Sequence, residues 1–178
     1  MTRLARDTRD PTRTLAALAL LLATAVLGAA LVMEKGLGYP VCDLCLYQRL
    51  PWYAVLGLSA LAVMGRTAPE TRVRLLVASA LITGAGAVLA FYHVGVELHW
   101  WAGDALCAAS SQAPIESIEA LTQALDAPGR RAARCDDTQF LSAGVPITLA
   151  QLNAAGSLVS ALGLGIALRA LGTRAPKP

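Results

Sequence analysis

The sequence is poor in charged and in aromatic residues. Of its 178 residues only 15% are Asp, Glu, Lys or Arg, and only 5% are Phe, Trp or Tyr. A soluble domain carries about a quarter charged residues, so this composition argues against an ordinary soluble domain. The net charge is only +3, and no basic stripe with interleaved aromatic residues is present. We therefore expect no nucleic-acid partner. No repeat, linker or low-complexity segment divides the chain, which predicts a single domain over residues 1–178.

What the sequence has instead is four long apolar stretches, at residues 14–33, 50–64, 75–96 and 146–168. Three of them reach the ~20 residues that cross a hydrocarbon core of about 30 Å. The second is short and must borrow a turn before residue 50, so we place its span at 46–64. The first is longer than the apolar run of a cleaved secretory signal, so we expect it to be retained as a membrane span. We expect an all-α integral membrane protein, a four-helix bundle with two outward loops.

The Lys and Arg residues predict which loops face outward. Ten of the fifteen lie in the N-terminal tail, the second loop and the C-terminal tail. Because Lys and Arg near span ends mark the cytoplasmic side, both termini are predicted to be cytoplasmic. The first and third loops then face outward and hold all four cysteines, in a compartment where disulfides can persist.

Two of those cysteines, Cys42 and Cys45, form a Cys-x-x-Cys motif in the first loop, and Cys107 and Cys135 lie in the third. Haem attachment would need His directly after the second cysteine, and Leu46 stands there. A four-thiolate metal site needs a second close pair, but Cys107 and Cys135 are 28 residues apart. A thiol–disulfide redox pair needs only closeness and a lowered thiol pKa. Permanent disulfides and a thiolate metal site stay open as alternatives.

Arg49 follows Cys45 by four residues, which places the two side chains on one face if a helix begins near Cys45. The helix terminus and the guanidinium would both favour a thiolate at Cys45. An interfacial anchor is the alternative role for Arg49. Pro51 leaves the start of the helix undecided, since it is harmless in the first turn and kinks a helix deeper in.

Two cysteine pairs on one membrane face suggest that electrons pass between them by thiolate exchange. With no haem or flavin motif in the sequence, a membrane quinone is the natural final acceptor. His93, near the end of the third span, is a functional candidate because titratable residues are rare at membrane depth, although a hydrogen-bonded interfacial histidine is the alternative. In the third loop, residues 114–125 are predicted to form a short surface helix.

Three segments resemble the disulfide bond formation protein B (DsbB) family. They are "CDLCLYQRLPWY" at the second span, "FYHVGVELHWWAGDALC" after the third, and "RCDD" before the fourth. The resemblance extends from Thr14 to Leu168. It implies a bacterial inner-membrane oxidoreductase with periplasmic cysteine loops. Such a protein reoxidises a soluble, DsbA-like thioredoxin-fold dithiol oxidase and passes the electrons to ubiquinone or menaquinone.

The resemblance also implies roles for individual residues. Cys107 would be attacked by the partner's thiolate, with Cys135 as its disulfide partner. Cys42 would resolve that pair through an inter-loop disulfide, and Cys45 would face the quinone. Arg49 matches the family's quinone-contacting arginine, and His93 lies where the family often has a histidine near that site. After Cys135 the sequence lacks the Trp and Ser-Met stretch of many members, which puts local loop packing and the choice of partner in doubt.

Overall fold

The computed structural model describes residues 10–64, 67–103, 134–142 and 144–173. Helix α1 spans Pro11–Leu31 and continues as one π-helical turn, Val32–Gly36. The short α2, Asp43–Tyr47, leads into α3, Arg49–Met64, and then α4, Pro69–Glu97. Strands β1, Phe140–Ser142, and β2, Val145–Thr148, precede the last helix, α5, Leu149–Thr173. The fold is thus mostly helical, as predicted.

The β-hairpin is the departure from the all-α prediction. Strands β1 and β2 are antiparallel, with Phe140 opposite Thr148 and Ser142 opposite Val145, and an irregularity in register between these pairs. Gly144 takes a positive φ of 97° at the turn, a conformation that suits a residue without Cβ. Residues 146–148, expected to open the fourth span, therefore belong to a strand. The surface helix predicted at residues 114–125 lies outside the described residues.

A capping box explains why α5 begins at Leu149. The Thr148 hydroxyl accepts a hydrogen bond from the backbone N–H of Gln151 at 3.2 Å, and the Gln151 side chain accepts one from the N–H of Thr148 at 3.1 Å. Each side chain thereby satisfies an N–H that the first turn leaves unpaired. The Thr148 hydroxyl also donates to Glu97 at the end of α4, at 2.7 Å. The start of α5 is therefore tied to the end of α4.

Three of the described helical segments are long and apolar enough to cross a membrane: Pro11–Gly36, Pro69–Glu97 and Leu149–Gly172. The chain is thus a helical membrane protein. Helix α3 has 16 residues and spans about 24 Å, less than a hydrocarbon core of about 30 Å. It packs between α1 and α4. The four-span bundle therefore stays a prediction, with α3 as its short member.

The packing is inverted relative to a soluble bundle. Large apolar side chains point outward, such as Leu81, Val88 and Val159, each about 70% exposed. Small and polar ones are buried between the helices, among them Ala16, Ser59, Ser79, Thr83 and Ser157. Small residues let helix backbones approach closely where lipid, not water, surrounds them. At Gly86 the approach is tight, because a Cβ there would lie 3.1 Å from Pro51 of α3.

The chain reverses sharply after α4. His99 has a positive φ of 58°, and the reversal brings the Trp101 ring over Gly95, where an added Cβ would lie 2.0 Å from a ring carbon. Trp101 stacks on Tyr92 and donates its indole N–H to the Tyr92 carbonyl at 2.9 Å. Trp101 is thus held by specific contacts, while Trp100 stays largely exposed, as a membrane-interface aromatic would.

Arg72 joins three segments at the opposite end of the bundle. Arg72 was counted among the Lys and Arg residues of the second loop, but it lies inside α4 and is only 4% exposed. Its guanidinium pairs with Asp10, the N-cap of α1, and donates to the carbonyls of Ala62 and Thr67. Partial burial acts against ionisation of Asp10, but hydrogen bonds from Thr12 and the charge of Arg72 outweigh it and lower the pKa of Asp10.

Replacing Arg72 should therefore destabilise the bundle. We expect Arg72→Met to lower the free energy of unfolding by about 2–3 kcal/mol, because it removes the positive charge that pairs with Asp10 and a donor to two carbonyls. Unfolding in mixed detergent micelles measures this. Arg74→Met, an exposed arginine on the same helix, is the control and should change little. Equal loss in both variants would contradict the structural role of Arg72.

Candidate active site

Cys42 and Cys45 meet at the first turn of α2. Cys42 is the N-cap residue, and its sulfur accepts a hydrogen bond from the backbone N–H of Cys45 at 3.2 Å. The two Sγ atoms are 2.7 Å apart, and both cysteines are free thiols. A disulfide bond is about 2.05 Å long, so a movement of less than about 1 Å would join them. The helical spacing thus creates a pair ready to bond.

Pro51 explains why this helix is separate from α3. A proline has no N–H to donate to the carbonyl four residues earlier, here that of Tyr47. The helix ends at Tyr47 with Gln48 as its C-cap, and α3 begins at Arg49. Pro51 is thus in the first turn of α3, where its missing N–H costs nothing. The Cys-x-x-Cys motif therefore lies on its own short helix, which begins two residues before Cys45.

The hydrogen bond between the two sulfurs shifts their pKa values in opposite directions. The hydrogen bond from the Cys42 thiol lowers the pKa of Cys45, and the charge of Arg49 acts in the same direction, against burial and the charge of Glu97. For Cys42 the same hydrogen bond and burial raise the pKa, while His93 acts the other way. These shifts favour Cys45 over Cys42 as the thiolate of the reduced pair.

Cys45 lines an apolar cavity of about 370 Å³. Its walls come from the end of α1, the segment before α2, the start of α3 and the start of α5, and its polar members are Glu34, Gln48, Arg49, Gln139 and Asn153. A volume of this size, mostly apolar with a few convergent polar groups, is typical of a small-molecule site. One sulfur of the pair thus faces a cavity suited to a small, mostly apolar ligand.

Arg49 lies in the cavity wall, paired with Glu34. Its Nη1 donates to Glu34 Oε2 at 2.5 Å, and its side chain is only 14% exposed. The more exposed Lys35 contacts the other oxygen of the same carboxylate, also at 2.5 Å. A half-buried arginine with a fixed partner is held in position, which favours a role inside the cavity over that of an anchor.

His93 lies behind Cys42 and is not among the residues that line this cavity. Its Nε2 is 3.6 Å from Cys42 Sγ, and its Nδ1 is 2.8 Å from Gln48 Nε2. Gln48 Oε1 accepts from Asn153 Nδ2 at 2.8 Å, and Asn153 Oδ1 accepts from Trp52 Nε1 at 2.9 Å. We call Trp52, Asn153, Gln48 and His93 the polar relay. It connects α5 and α3 to the sulfur of Cys42.

Cys135 lies in the same buried cluster as Cys42, together with Leu44 and Val96. It is 3% exposed and disulfide-bonded. The structure thus brings three of the four predicted cysteines together, across about ninety residues of sequence. The fourth, Cys107, lies outside the described residues.

Several residues of the site were missed in the sequence. Asn153, Trp52, Glu34 and Gln48 were not among the predicted site residues. An acidic residue at the end of an apolar span, Glu34, was the one visible signal, since a charge there needs a partner. The contact between Gln48 and Asn153 joins residues 105 positions apart, and no local pattern predicts it.

The same atoms resemble a metal-ligand set. The sulfurs of Cys42 and Cys45 and a ring nitrogen of His93 lie within 4.8 Å of one another. Two thiolates and one imidazole can bind Zn²⁺ with a fourth position open. The residue types therefore fit either a redox pair or a metal site, but a bound zinc ion would require the two sulfurs to move apart by about 1 Å.

These features define a class, a helical membrane protein with a close thiol pair beside an apolar cavity. Among protein-family models, the one described as disulfide bond formation protein DsbB matches residues 12–167. Searches of curated proteins and of solved structures found no match. Because the family match covers most of the chain, the protein belongs to the DsbB family, and the resemblance noted in its motifs is confirmed. It is a membrane protein of disulfide-bond formation.

The influence of Arg49 on Cys45 can be measured directly. We expect Arg49→Met to raise the pKa of Cys45, because a positive charge that favours the thiolate is lost. Peptide mass spectrometry after brief alkylation across a pH series should show Cys45 modification shifting to higher pH. Lys35→Met removes a more exposed cation from the same carboxylate and should shift it less. A profile of Arg49→Met identical to the parent would contradict this interaction.

Proposed function

We propose that this protein reoxidises a soluble, DsbA-like thioredoxin-fold dithiol oxidase in the periplasm and passes the electrons to ubiquinone or menaquinone in the bacterial inner membrane. The main support is the two-sided placement of the thiol pair. Cys45 faces the apolar cavity, while Cys42 packs in one cluster with Cys135. Electrons can thus enter on one sulfur and leave from the other.

The cavity fits a quinone headgroup by its chemistry. Its walls are mostly apolar, with the thiol of Cys45 and the guanidinium of Arg49 in one cavity. Arg49 and Asn153 can donate hydrogen bonds to ring oxygens, and Trp52 offers an aromatic face. A bound quinone would supply the two-electron acceptor.

The chain's own cysteines would carry the electrons in two exchanges. The partner's dithiol reduces the Cys107–Cys135 disulfide and is itself oxidised. A thiolate of the third loop then attacks Cys42 of an oxidised Cys42–Cys45 pair. A new inter-loop disulfide forms, and the electron pair of the broken bond stays on Cys45. This leaving group is the sulfur with the lowered pKa, beside the cavity.

This function sets the orientation in the membrane. The cysteine loops face the periplasm, where disulfides persist, and both termini lie in the cytoplasm. The cluster of Arg72 and Asp10, at the end of the bundle away from the cysteines, then lies on the cytoplasmic side.

Quinone reduction by the purified protein tests the cofactor assignment. Reduced protein mixed with a soluble ubiquinone analogue under anaerobic conditions should reduce it, with oxidation of Cys42 and Cys45. We expect Arg49→Ala to slow this reaction at least about tenfold, because a positioned cation that stabilises developing charge is lost. Arg74→Ala, at the far end of α4, is the control. Equal rates for Arg49→Ala and the parent would exclude Arg49 from the quinone site.

Partner capture tests the other end of the pathway. A Cys135→Ser variant lacks the thiol that would resolve a mixed disulfide at Cys107, so we expect it to accumulate a covalent complex with a periplasmic thioredoxin-fold protein. Cys107→Ser should abolish both the complex and oxidation of that partner. A complex that forms equally well in Cys107→Ser would overturn the assignment of Cys107.

A thiolate metal site is the second candidate, because the sulfurs of Cys42 and Cys45 lie close to His93. Elemental analysis of the purified reduced protein separates the two functions. Stoichiometric zinc that blocks thiol oxidation would favour the metal site, whereas reoxidation of the thiols by quinone favours the redox function. Permanent disulfides as the alternative would predict no such reoxidation after mild reduction.

A further inference from the structure

The polar relay has a fixed direction, and Trp52 sets it. An indole N–H can only donate a hydrogen bond, so Asn153 must present its oxygen to Trp52 and its NH₂ group to Gln48. Gln48 then uses its oxygen toward Asn153 and its own NH₂ group toward His93. The Nδ1 atom of His93 must therefore accept.

The orientation of Gln48 decides where His93 carries its proton. In a neutral imidazole one nitrogen accepts and the other bears hydrogen. Because Nδ1 accepts from Gln48, the hydrogen lies on Nε2, which faces Cys42 Sγ at 3.6 Å. The same sulfur already accepts the backbone N–H of Cys45 at 3.2 Å. Two donors therefore converge on the sulfur of Cys42.

We propose that Trp52, Asn153 and Gln48 are positioning residues that hold the Nε2–H of His93 toward Cys42 and so stabilise this sulfur whenever it is released from a disulfide. The inference rests on the proposed thiol–disulfide function. The step concerned is the opening of the inter-loop disulfide. A thiolate attacks the third-loop sulfur of that disulfide and bonds to it, the bond from this sulfur to Cys42 breaks, and its electron pair stays on Cys42. The negative charge then appears where the two donors already point.

The two donors matter to Cys42 because its sulfur is buried. Cys42 and His93 are each 2% exposed and Gln48 is 6% exposed. Water cannot easily solvate a charge on Cys42, so fixed donors must replace it. While the pair is reduced, the Cys42 thiol donates its hydrogen to the sulfur of Cys45. The two N–H groups that point at the Cys42 sulfur become important only when the contact between the sulfurs of Cys42 and Cys45 is broken.

The direction of the hydrogen bonds in the polar relay also argues against the metal-binding alternative. A metal ion bound by Cys42, Cys45 and His93 would need the lone pair of Nε2, with the ring hydrogen moved to Nδ1. Gln48 presents hydrogens, not an acceptor, to Nδ1. The hydrogen-bond direction set at Trp52 thus favours a thiol site over a metal site built from the same atoms.

The tautomer of His93 is the direct test. The chain has only two histidines, so ring ¹⁵N-labelling of the full-length, reduced protein in detergent gives two sets of signals, which His99→Gln assigns. We expect His93 in the Nε2–H form. Asn153→Asp should invert it to Nδ1–H, because a carboxylate accepts from both Trp52 and Gln48 and turns the Gln48 oxygen toward His93. Trp52→Phe should give both tautomers, and Trp100→Phe should leave the parent spectrum.

Two results would overturn the proposal: an Nδ1–H ring in the parent protein, or an unchanged Nε2–H ring in both Asn153→Asp and Trp52→Phe. Neither readout involves a quinone or a partner oxidase. A protein that fails to reduce quinone can still show the expected tautomer, and one that reduces it can show the wrong one. Failure of the inference and failure of the proposed function are therefore distinguishable.

The reactivity of Cys42 provides the second measurement. In a Cys45→Ala background, Cys42 is no longer paired with the other thiol, and its alkylation rate at one fixed pH reports its thiolate. We expect Trp52→Phe and Gln48→Leu to slow this reaction about three- to tenfold, the effect of one weakened hydrogen bond. Trp100→Phe in the same background should not. Rates equal to the background in both relay variants would show that His93 does not act on Cys42.

Discussion

The candidate site is built around one short contact, between the sulfurs of Cys42 and Cys45 across the first turn of α2. The N-cap position gives the Cys42 sulfur a backbone donor, and the helical spacing brings Cys45 within reach of it. Pro51 keeps this turn separate from α3. The motif thus occupies a short helix of its own between the segment that follows α1 and the start of α3.

The surrounding fold treats the two sulfurs differently. Cys45 faces the apolar cavity with Arg49, while Cys42 is buried against His93 and shares a cluster with Cys135. The proposed electron transfer requires this asymmetry, because in that proposal one sulfur exchanges with a protein disulfide and the other meets the acceptor. The capping box at Thr148 supports the arrangement from a distance, since it fixes the start of α5, the helix that carries Asn153.

Apolar runs and motifs predicted much of this architecture. The three long helices, the close pair Cys42 and Cys45, and the family all followed from local patterns, because hydropathy and cysteine spacing act over a few residues. The hairpin was missed because its second strand is continuous with the apolar run of α5. Arg72 was counted as a loop cation, since a sequence does not reveal that α4 begins early enough to bury it against Asp10. The contacts of Gln48 with His93 and Asn153 depend on tertiary packing alone.

The central claim is that Cys42 and Cys135 lie within exchange distance, and a two-cysteine protein tests it most directly. A variant with Cys45→Ser and Cys107→Ser retains only Cys42 and Cys135, which pack in one buried cluster. Mild oxidation followed by peptide mapping should give an intramolecular Cys42–Cys135 disulfide in most molecules. Two free thiols, or only disulfides between separate molecules, would contradict the account.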